Sequence, residues 1–310
     1  MRNVRILGLC LVAAFVIAAV EATGASATNP EFGQCYAKPG GGNYADAGCT
    51  KPKPFGKGTF EWRTMAEITA NKSFRENESV THKGVLNANY ISCSGRIRRA
   101  GSCASHGEKD EKSGPLPVEC QNEFHRGLIS GSKEVAHVGV AFEHCAVLGS
   151  APCANTPTEE IQTNPLKGNL EYIKRAPKEV GLLLTPEKAP EAFAQFNCLG
   201  VISVVVGEGN AVEGTAYKEA NGEENKGGND GLIAPIAPIN MMVTNLVQTY
   251  TFNAKLENVP SKFVGGQRES LETYEYSPFE SAESSEWSKA GQEVTAESQQ
   301  EDGEEIEIKA

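Results

Sequence analysis

The sequence contains side chains of the types that catalysis requires, and each known catalytic motif needs them at a particular spacing. An α/β-hydrolase nucleophile needs Gly-x-Ser-x-Gly, whereas residues 127–131 have the sequence Gly-Leu-Ile-Ser-Gly. A dinucleotide-binding loop needs a third glycine and a strand–loop–helix context that Gly207-Glu208-Gly209 lacks. Two carboxylates could hydrolyse a glycoside if folding brought them about 5 to 10 Å apart, but 40 acidic residues single out no pair. We therefore predict no catalytic residue and no cofactor, with a secreted, glycosidase-like hydrolase as the alternative function.

Metal ligands occur in two groups, and neither has the spacing of a known metal motif. The nearest cluster of zinc-ligand types is His137, His144 and Cys145. Adjacent residues of a strand point to opposite faces, which keeps His144 and Cys145 from sharing one zinc ion. A loop with oxygen ligands of the kind calcium prefers contains Asn221, Glu223, Asn225 and Asp230. Its spacing differs from that of the calcium-binding helix–loop–helix, so a solvated turn is favoured and no metal is predicted.

Aromatic residues near the carboxyl end could form a binding platform. The set is Tyr274, Tyr276, Phe279 and Trp287. Such a platform would suit a carbohydrate or peptide ligand, but aromatic residues in strands more often belong to the core. The core interpretation is therefore preferred, and the platform remains the alternative.

The amino terminus has the pattern of a secretory signal. Arg2 and Arg5 precede an apolar run over residues 6–20, and Ala25-Ser26-Ala27 provides small residues for cleavage. The run is shorter than the roughly 20 residues of a bilayer span. We expect residues 1–27 to be removed and residues 28–310 to be secreted or held in the cell envelope, without a stable membrane span.

Cysteine content agrees with export. Eight cysteines remain after the predicted signal, and an even number suits disulfides in an oxidising compartment. Spacing alone leaves many connectivities open. Pairing between cysteines close in the chain predicts Cys35–Cys49, Cys103–Cys120 and Cys145–Cys153, which leaves Cys93–Cys198 as a long-range bond.

The hydrophobic pattern predicts a mainly β fold, a sandwich or distorted barrel with one or two minor helices. Residues 28–57 are rich in Gly and Pro and are predicted as loop. Strands are predicted at 58–62, 85–97, 135–143, 168–173, 180–184, 199–206 and 243–256, and a hairpin is predicted whose second strand includes 212–217. Within them, Ala136, Val138, Val140 and Phe142 share one face of one strand, and Leu246, Gln248, Tyr250, Phe252 and Ala254 share one face of another. A Thr cap followed by Pro and Glu predicts a short helix over 185–196.

The net charge of the chain excludes some classes of binding partner. The chain has 29 Lys and Arg against 40 Asp and Glu, a net charge of -11. A surface of that sign repels nucleic acid and an anionic membrane surface. The acidic C-terminal segment 267–310 combines three basic with thirteen acidic residues. Its aromatic content and the alternation of 305–309 favour an ordered segment ending in an amphipathic strand, and no internal domain boundary is evident.

A series of short motifs spans nearly the whole chain after the signal. It comprises Pro30-Glu31-Phe32-Gly33-Gln34-Cys35, Gly48-Cys49-Thr50, Phe60-Glu61-Trp62, Ile91-x-Cys93, Phe142-x-x-Cys145, Pro152-Cys153, Leu170-x-Tyr172-Ile173, Val180-Gly181-Leu182, Phe196-x-Cys198 and Glu305-Ile306-Glu307-Ile308. The series resembles an uncharacterised family of exported proteins of high-GC Gram-positive bacteria. The resemblance implies no known activity, so it assigns no functional residue. Cys103 and Cys120 are additional to the family pattern, which supports pairing them with each other. The expected function is a non-enzymatic envelope or extracellular protein that binds or supports other molecules.

Overall fold

A computed structural model describes most of the chain. The described residues are 29–68, 72–76, 84–93, 96–99, 112–147, 150–188, 191–200, 202–207, 229–253, 258–266, 268–276, 288–290, 292–300 and 303–310. The predicted signal, Cys103 and the hairpin expected around residues 212–217 lie outside them. No helix long and apolar enough to cross a bilayer is found in this part of the chain.

The described residues form strands and turns, which confirms the mainly β prediction. The strands are β1 Glu31–Gly42, β2 Gly58–Thr64, β3 Lys72–Glu76, β4 Gly84–Cys93, β5 Arg96–Arg99, β6 Lys112–Cys120, β7 Asn122–Ile129, β8 Glu134–Glu143, β9 Ala146–Val147, β10 Ala151–Ala154, β11 Glu160–Gln162, β12 Leu166–Arg175, β13 Lys178–Pro186, β14 Ala194–Cys198, β15 Ile202–Val206, β16 Asn229–Asp230, β17 Leu232–Ala237, β18 Asn245–Tyr250, β19 Glu269–Tyr276, β20 Ser288–Ala290, β21 Gln292–Gln300 and β22 Glu307–Lys309.

Eight antiparallel strands close into a barrel. Their order around the ring is β13, β17, β18, β21, β3, β7, β8 and β12, and β12 pairs with β13 to complete it. Closure leaves no unpaired strand edge, and about eight strands enclose a space that side chains can fill. The alternation of apolar residues along β12, β13 and β18 places one face of each strand in this interior.

Two further sheets complete the fold. One runs β5, β4, β6, β9, β10, β14, β15, β19 and β20, and joins the barrel where β4 pairs with β21. The other has the order β2, β1, β22, and so pairs the C-terminal strand with the first strand. Phe32, Ile306 and Ile308 pack into the same core as the barrel residues. The acidic segment 267–310 therefore contributes strands β19, β20, β21 and β22 to these sheets and the barrel.

Four expectations about single elements are wrong, and tertiary pairing explains each one. Residues 31–42 form β1, not a loop, because β2 and β22 flank them. The stretch 85–97 divides into β4 and β5, which pair antiparallel. The expected helix over 185–196 is replaced by the end of β13 and the start of β14, where inward apolar residues outweigh the local helix signal. β18 ends at Tyr250.

A β-bulge corrects the inward face of β8. Val138, Val140 and Phe142 are buried as predicted, but the fourth buried residue is Val135 and not Ala136. The register against β7 and β12 shifts on either side of His137, whose φ of 51° marks the extra residue. The bulge reverses which side of the strand faces the core.

Disulfide pairing follows neighbours in the sheet more than neighbours in the chain. Cys35–Cys49 is confirmed, whereas the other two bonds among described side chains are Cys120–Cys145 and Cys153–Cys198. The predicted pairs Cys103–Cys120, Cys145–Cys153 and Cys93–Cys198 are therefore wrong.

The registers of β6, β9, β10 and β14 explain the pairing. Cys153 lies directly opposite Cys198, and Cys120 and Cys145 continue the pairing of β6 with β9. The amide of Cys153 donates to the carbonyl of Cys145 at 2.9 Å, so all four cysteines lie in one row across the sheet. A bond between Cys145 and Cys153, the two middle residues, would leave Cys120 and Cys198 too far apart to pair, whereas the observed bonds include all four cysteines.

Candidate functional site

Polar side chains project into the barrel from β7. Along this strand Glu123 and His125 are 3% and 7% exposed, whereas Phe124 between them is 43% exposed on the outside. Because successive side chains alternate between faces, the usual distribution is inverted at this position: the ionisable groups are inside and the phenyl ring is outside. Such an arrangement requires partners for the buried polar atoms.

β18 and β21 supply those partners. Leu246 pairs with Ser298 and Gln248 pairs with Ala296, which makes Gln248 and Ser298 diagonal neighbours on the inner face. Nε2 of Gln248 donates to Oγ of Ser298 at 3.0 Å, and the hydroxyl of Tyr250 donates to Oε1 of Gln248 at 2.8 Å. These contacts make a continuous polar chain within an apolar core.

His125 joins this chain to Glu123. Its Nε2 lies 2.7 Å from Oγ of Ser298, and its Nδ1 lies 3.3 Å from Oε1 of Glu123. We call the set Glu123, His125, Gln248, Tyr250 and Ser298 the barrel network. Burial raises the pKa of Tyr250, and the negative charge of Glu123 raises it further, so Tyr250 remains a hydrogen-bond donor.

Two small cavities flank the barrel network. One, of about 20 Å³, is bordered by Glu123, His125, Gln248 and Tyr250 among apolar side chains. The other, also of about 20 Å³, touches Gln248, Ser298 and Gln300. Each has room for about one water molecule. Oε2 of Glu123 has no hydrogen-bond partner among the described residues, and an ordered water in the first cavity would satisfy it.

The order Ser298, His125, Glu123 is that of a serine hydrolase triad. A working triad also needs space beside the hydroxyl for an acyl group and donors for the developing oxyanion. Ser298 is 7% exposed, its oxygen already accepts from Gln248, and the adjoining cavities hold only a water. The arrangement can therefore hold and orient protons, but leaves no room for a substrate.

A second buried ionisable group, Glu307, lies in β22. It has no exposed surface, and neither carboxyl oxygen has a hydrogen-bond partner in the described part of the chain. It pairs in register with Gly33, where an added Cβ would fall 2.5 Å from the Trp62 ring. The amphipathic strand predicted at 305–309 is confirmed for Ile306 and Ile308, but Glu307 is not solvent-facing because β2 and the loop after β1 cover it.

The surroundings of Glu307 set its protonation. Burial raises its pKa to about 7, the positive charge of Lys309 opposes this, and the negative charge of Asp46 adds to it. The Lys309 ammonium lies 3.8 Å from the centroid of the Tyr44 ring and 4.9 Å from that of the Trp62 ring, and it donates to the Cys49 carbonyl at 3.1 Å. Lys309 is thus bound by the loop and aromatic rings above it.

Glu307→Gln is expected to stabilise the protein at about pH 8 by about 1–3 kcal/mol, with little effect at about pH 5. A carboxyl whose pKa rises on folding holds its proton more tightly in the folded state, so stability falls as pH rises from the unfolded pKa towards 7 and stays low above it. Glutamine has no such cost. Urea unfolding at both pH values measures the change, with exposed Glu305→Gln as control. Equal effects at both pH values would contradict the assignment.

The residues considered above as candidate metal ligands are not assembled into a metal centre in the described part of the chain. Cys145 is bonded to Cys120, which removes its thiol as a ligand. His137 is an exposed residue whose Nδ1 lies 3.0 Å from Oε1 of Glu187. Asn221, Glu223 and Asn225 lie outside the described residues, as do Phe279 and Trp287. Asp230 belongs to β16, and Tyr274 and Tyr276 belong to β19.

The sequence pattern predicted an inward position for two members of the barrel network, Gln248 and Tyr250, and did not identify the other three. The predicted face is confirmed for Leu246, Gln248 and Tyr250, which are buried, but β18 ends before Phe252, and Ala254 lies outside the described residues. Glu123, His125 and Ser298 were not identified. A Glu and a His two residues apart in a strand were the available signal, but Phe124 between them gives the opposite face the greater hydrophobicity. No protein-family model, curated protein or solved structure matches this chain.

Proposed function

We propose that this protein is an exported, non-enzymatic binding or structural protein of the cell envelope or extracellular space. The three disulfides are compatible with folding in an oxidising compartment. The signal-like amino terminus and the resemblance to exported proteins of high-GC Gram-positive bacteria support the same location. On this proposal the partner is an envelope component, or a carbohydrate or peptide ligand.

The filled barrel is the observation that carries the proposal. A barrel that takes a ligand inside needs a cavity of ligand size, typically hundreds of Å³, whereas each cavity here is about 20 Å³. Among the described residues, the barrel interior is occupied by the apolar core and the barrel network, which favours the binding of partners on the outer surface. The barrel and disulfides then act as a rigid support for surface loops.

Hydrolysis is the competing function, favoured only by the order Ser298, His125, Glu123. A glycosidase needs two acids about 5 to 10 Å apart in an open pocket. Glu123 is the single acid that borders either of the two cavities. The burial of Ser298, and the lack of a second carboxylate among the described residues that line the two cavities, favour the proposal of binding over that of hydrolysis.

Two measurements test the proposal. The purified mature protein should sediment with actinobacterial envelope fragments, and a fluorophosphonate probe should not label it. Ser298→Ala provides the matched comparison, since any labelling or ester hydrolysis that this change removes would establish a hydrolase and overturn the proposal. Failure to sediment with the fragments, when an unrelated acidic protein also stays in solution, would reject the envelope role.

A further inference from the structure

The loop between β1 and β2 contrasts with the rest of this acidic protein. Residues 51–57 have the sequence Lys-Pro-Lys-Pro-Phe-Gly-Lys, with three lysines and no acid. All three lysines are exposed, and Phe55 is 92% exposed, more than any other large apolar side chain described. None of the three lysines forms an ion pair with the described part of the chain. We call residues 51–57 the basic loop.

The basic loop is held in one shape. Asp46 accepts from the Thr50 amide and hydroxyl at 3.2 and 2.6 Å, and from the Lys51 amide at 2.7 Å. The Thr50 hydroxyl bond is the main cause that lowers the pKa of Asp46, so this anchor is a carboxylate at neutral pH. The Cys35–Cys49 bond ties the same segment to β1. A partner would therefore meet a preformed loop, which reduces the entropy lost on binding.

A tight turn places Phe55 at the tip. The Lys57 amide donates to the Pro54 carbonyl at 2.9 Å, and Gly56 has a φ of +71°, as the third position of a type II turn requires. Phe55 occupies the second position, where its side chain projects outward. The ring has no described side chain covering either face, which suits insertion into an apolar layer more than stacking on a flat surface.

Apart from the amide of Phe55, which has no hydrogen bond to the described residues, the backbone N–H groups of the basic loop are either absent or hydrogen-bonded. Pro52 and Pro54 have no N–H, and the Lys53 amide donates to the Asn43 carbonyl at 2.7 Å. The Gly56 amide donates to Oδ1 of Asn43 at 3.2 Å, and that of Lys57 is used in the turn. Moving a peptide group out of water is costly when its hydrogen bonds are unmade. The tip therefore carries few N–H groups that would lose hydrogen bonds to water on entering a less polar layer.

We propose that the basic loop docks the protein onto an anionic lipid surface, with Phe55 inserted at the interface and the three lysines beside the headgroups. Each lysine near such a surface contributes about fivefold in affinity. The net charge of the whole chain opposes this attraction, but at physiological salt charges more than about 10 Å away are largely screened. An acidic polysaccharide would satisfy the lysines but would leave no apolar layer for Phe55. The inference rests on the proposed envelope role and specifies its partner.

Sedimentation with lipid vesicles tests this docking site. The mature protein should bind vesicles of equal parts phosphatidylglycerol and phosphatidylcholine, bind pure phosphatidylcholine far less, and dissociate at high salt. Phe55→Ala should weaken binding about tenfold or more, and Lys53→Gln about fivefold. The matched controls Phe124→Ala and Lys167→Gln change the same residue types on barrel strands and should leave binding unchanged.

Several results would overturn the inference. Binding to envelope fragments without binding to anionic vesicles would leave the proposed function intact and reject the lipid partner. Equal losses for Phe55→Ala and Phe124→Ala would reject the tip as the contact. Salt-sensitive binding to a soluble anionic polysaccharide that depends on Lys53 but not on Phe55 would assign the basic loop to a polymer. If neither fragments nor vesicles bind, both proposals fail.

Discussion

Replacing His125 by leucine is expected to lower the free energy of unfolding by about 3–5 kcal/mol. The change keeps an apolar side chain inside the barrel but removes the imidazole, which lies 3.3 Å from Oε1 of Glu123 and 2.7 Å from Oγ of Ser298. Oε2 of Glu123 already has no hydrogen-bond partner among the described residues, and the carboxyl group would also lose its contact with the imidazole. Urea unfolding followed by circular dichroism measures the difference.

The double variant Glu123→Leu with His125→Leu separates an unpaired buried charge from loss of packing. Removing both members of a buried pair is often close to neutral, whereas removing one is not. We therefore expect the double variant to be more stable than His125→Leu alone. Phe124→Leu, on the outer face of the same strand, is the control and should stay within about 0.5 kcal/mol of the unchanged protein. If the double variant loses as much free energy of unfolding as the single variants Glu123→Leu and His125→Leu together, the pair contributes through packing alone.

Removing the Cys153–Cys198 bond with two serines is expected to cost about 4 kcal/mol, against about 3 kcal/mol for the same change at Cys35 and Cys49. The two bonds close separations of 45 and 14 residues, and loop entropy rises slowly with length. Cys153 and Cys198 are also 0% and 3% exposed, so serine would place hydroxyls in the core. Non-reducing urea unfolding of the two double variants gives the comparison.

Peptide mapping without reduction checks the pairing itself. It should recover Cys120 with Cys145 and Cys153 with Cys198. After cleavage of the predicted signal, Cys93 and Cys103 are the two cysteines that these bonds and Cys35–Cys49 leave over, and we expect them to pair in an oxidising compartment. Recovery of a peptide that links Cys145 to Cys153 would contradict this pairing.

If removing Cys35–Cys49 lowers the free energy of unfolding more than removing Cys153–Cys198 does, then loop length is not the main determinant of the stabilisation.

Local pattern was sufficient where one face of a strand is apolar and nothing interrupts its period. Alternation identified the inner face of β18 over Leu246, Gln248 and Tyr250, because that face lies in the barrel interior. The pattern also predicted strands within β12 and β13, but it assigned no buried face to them. It failed at Ala136, because a single extra residue at His137 reverses the parity of the strand. It failed at Glu307, because whether that face meets water depends on a loop more than 250 residues earlier in the chain.

Composition and cysteine number were fixed by the sequence alone: a chain of net charge -11 with eight cysteines beyond an apolar amino-terminal run, and strand periods that specify a mainly β fold. Disulfide pairing and the polar interior were decided by tertiary structure. Cys120, Cys145, Cys153 and Cys198 pair according to strand register, which joins residues distant in the chain. Glu123, His125 and Ser298 meet because barrel closure brings β7 and β21 to one interior, a non-local event that no short segment encodes.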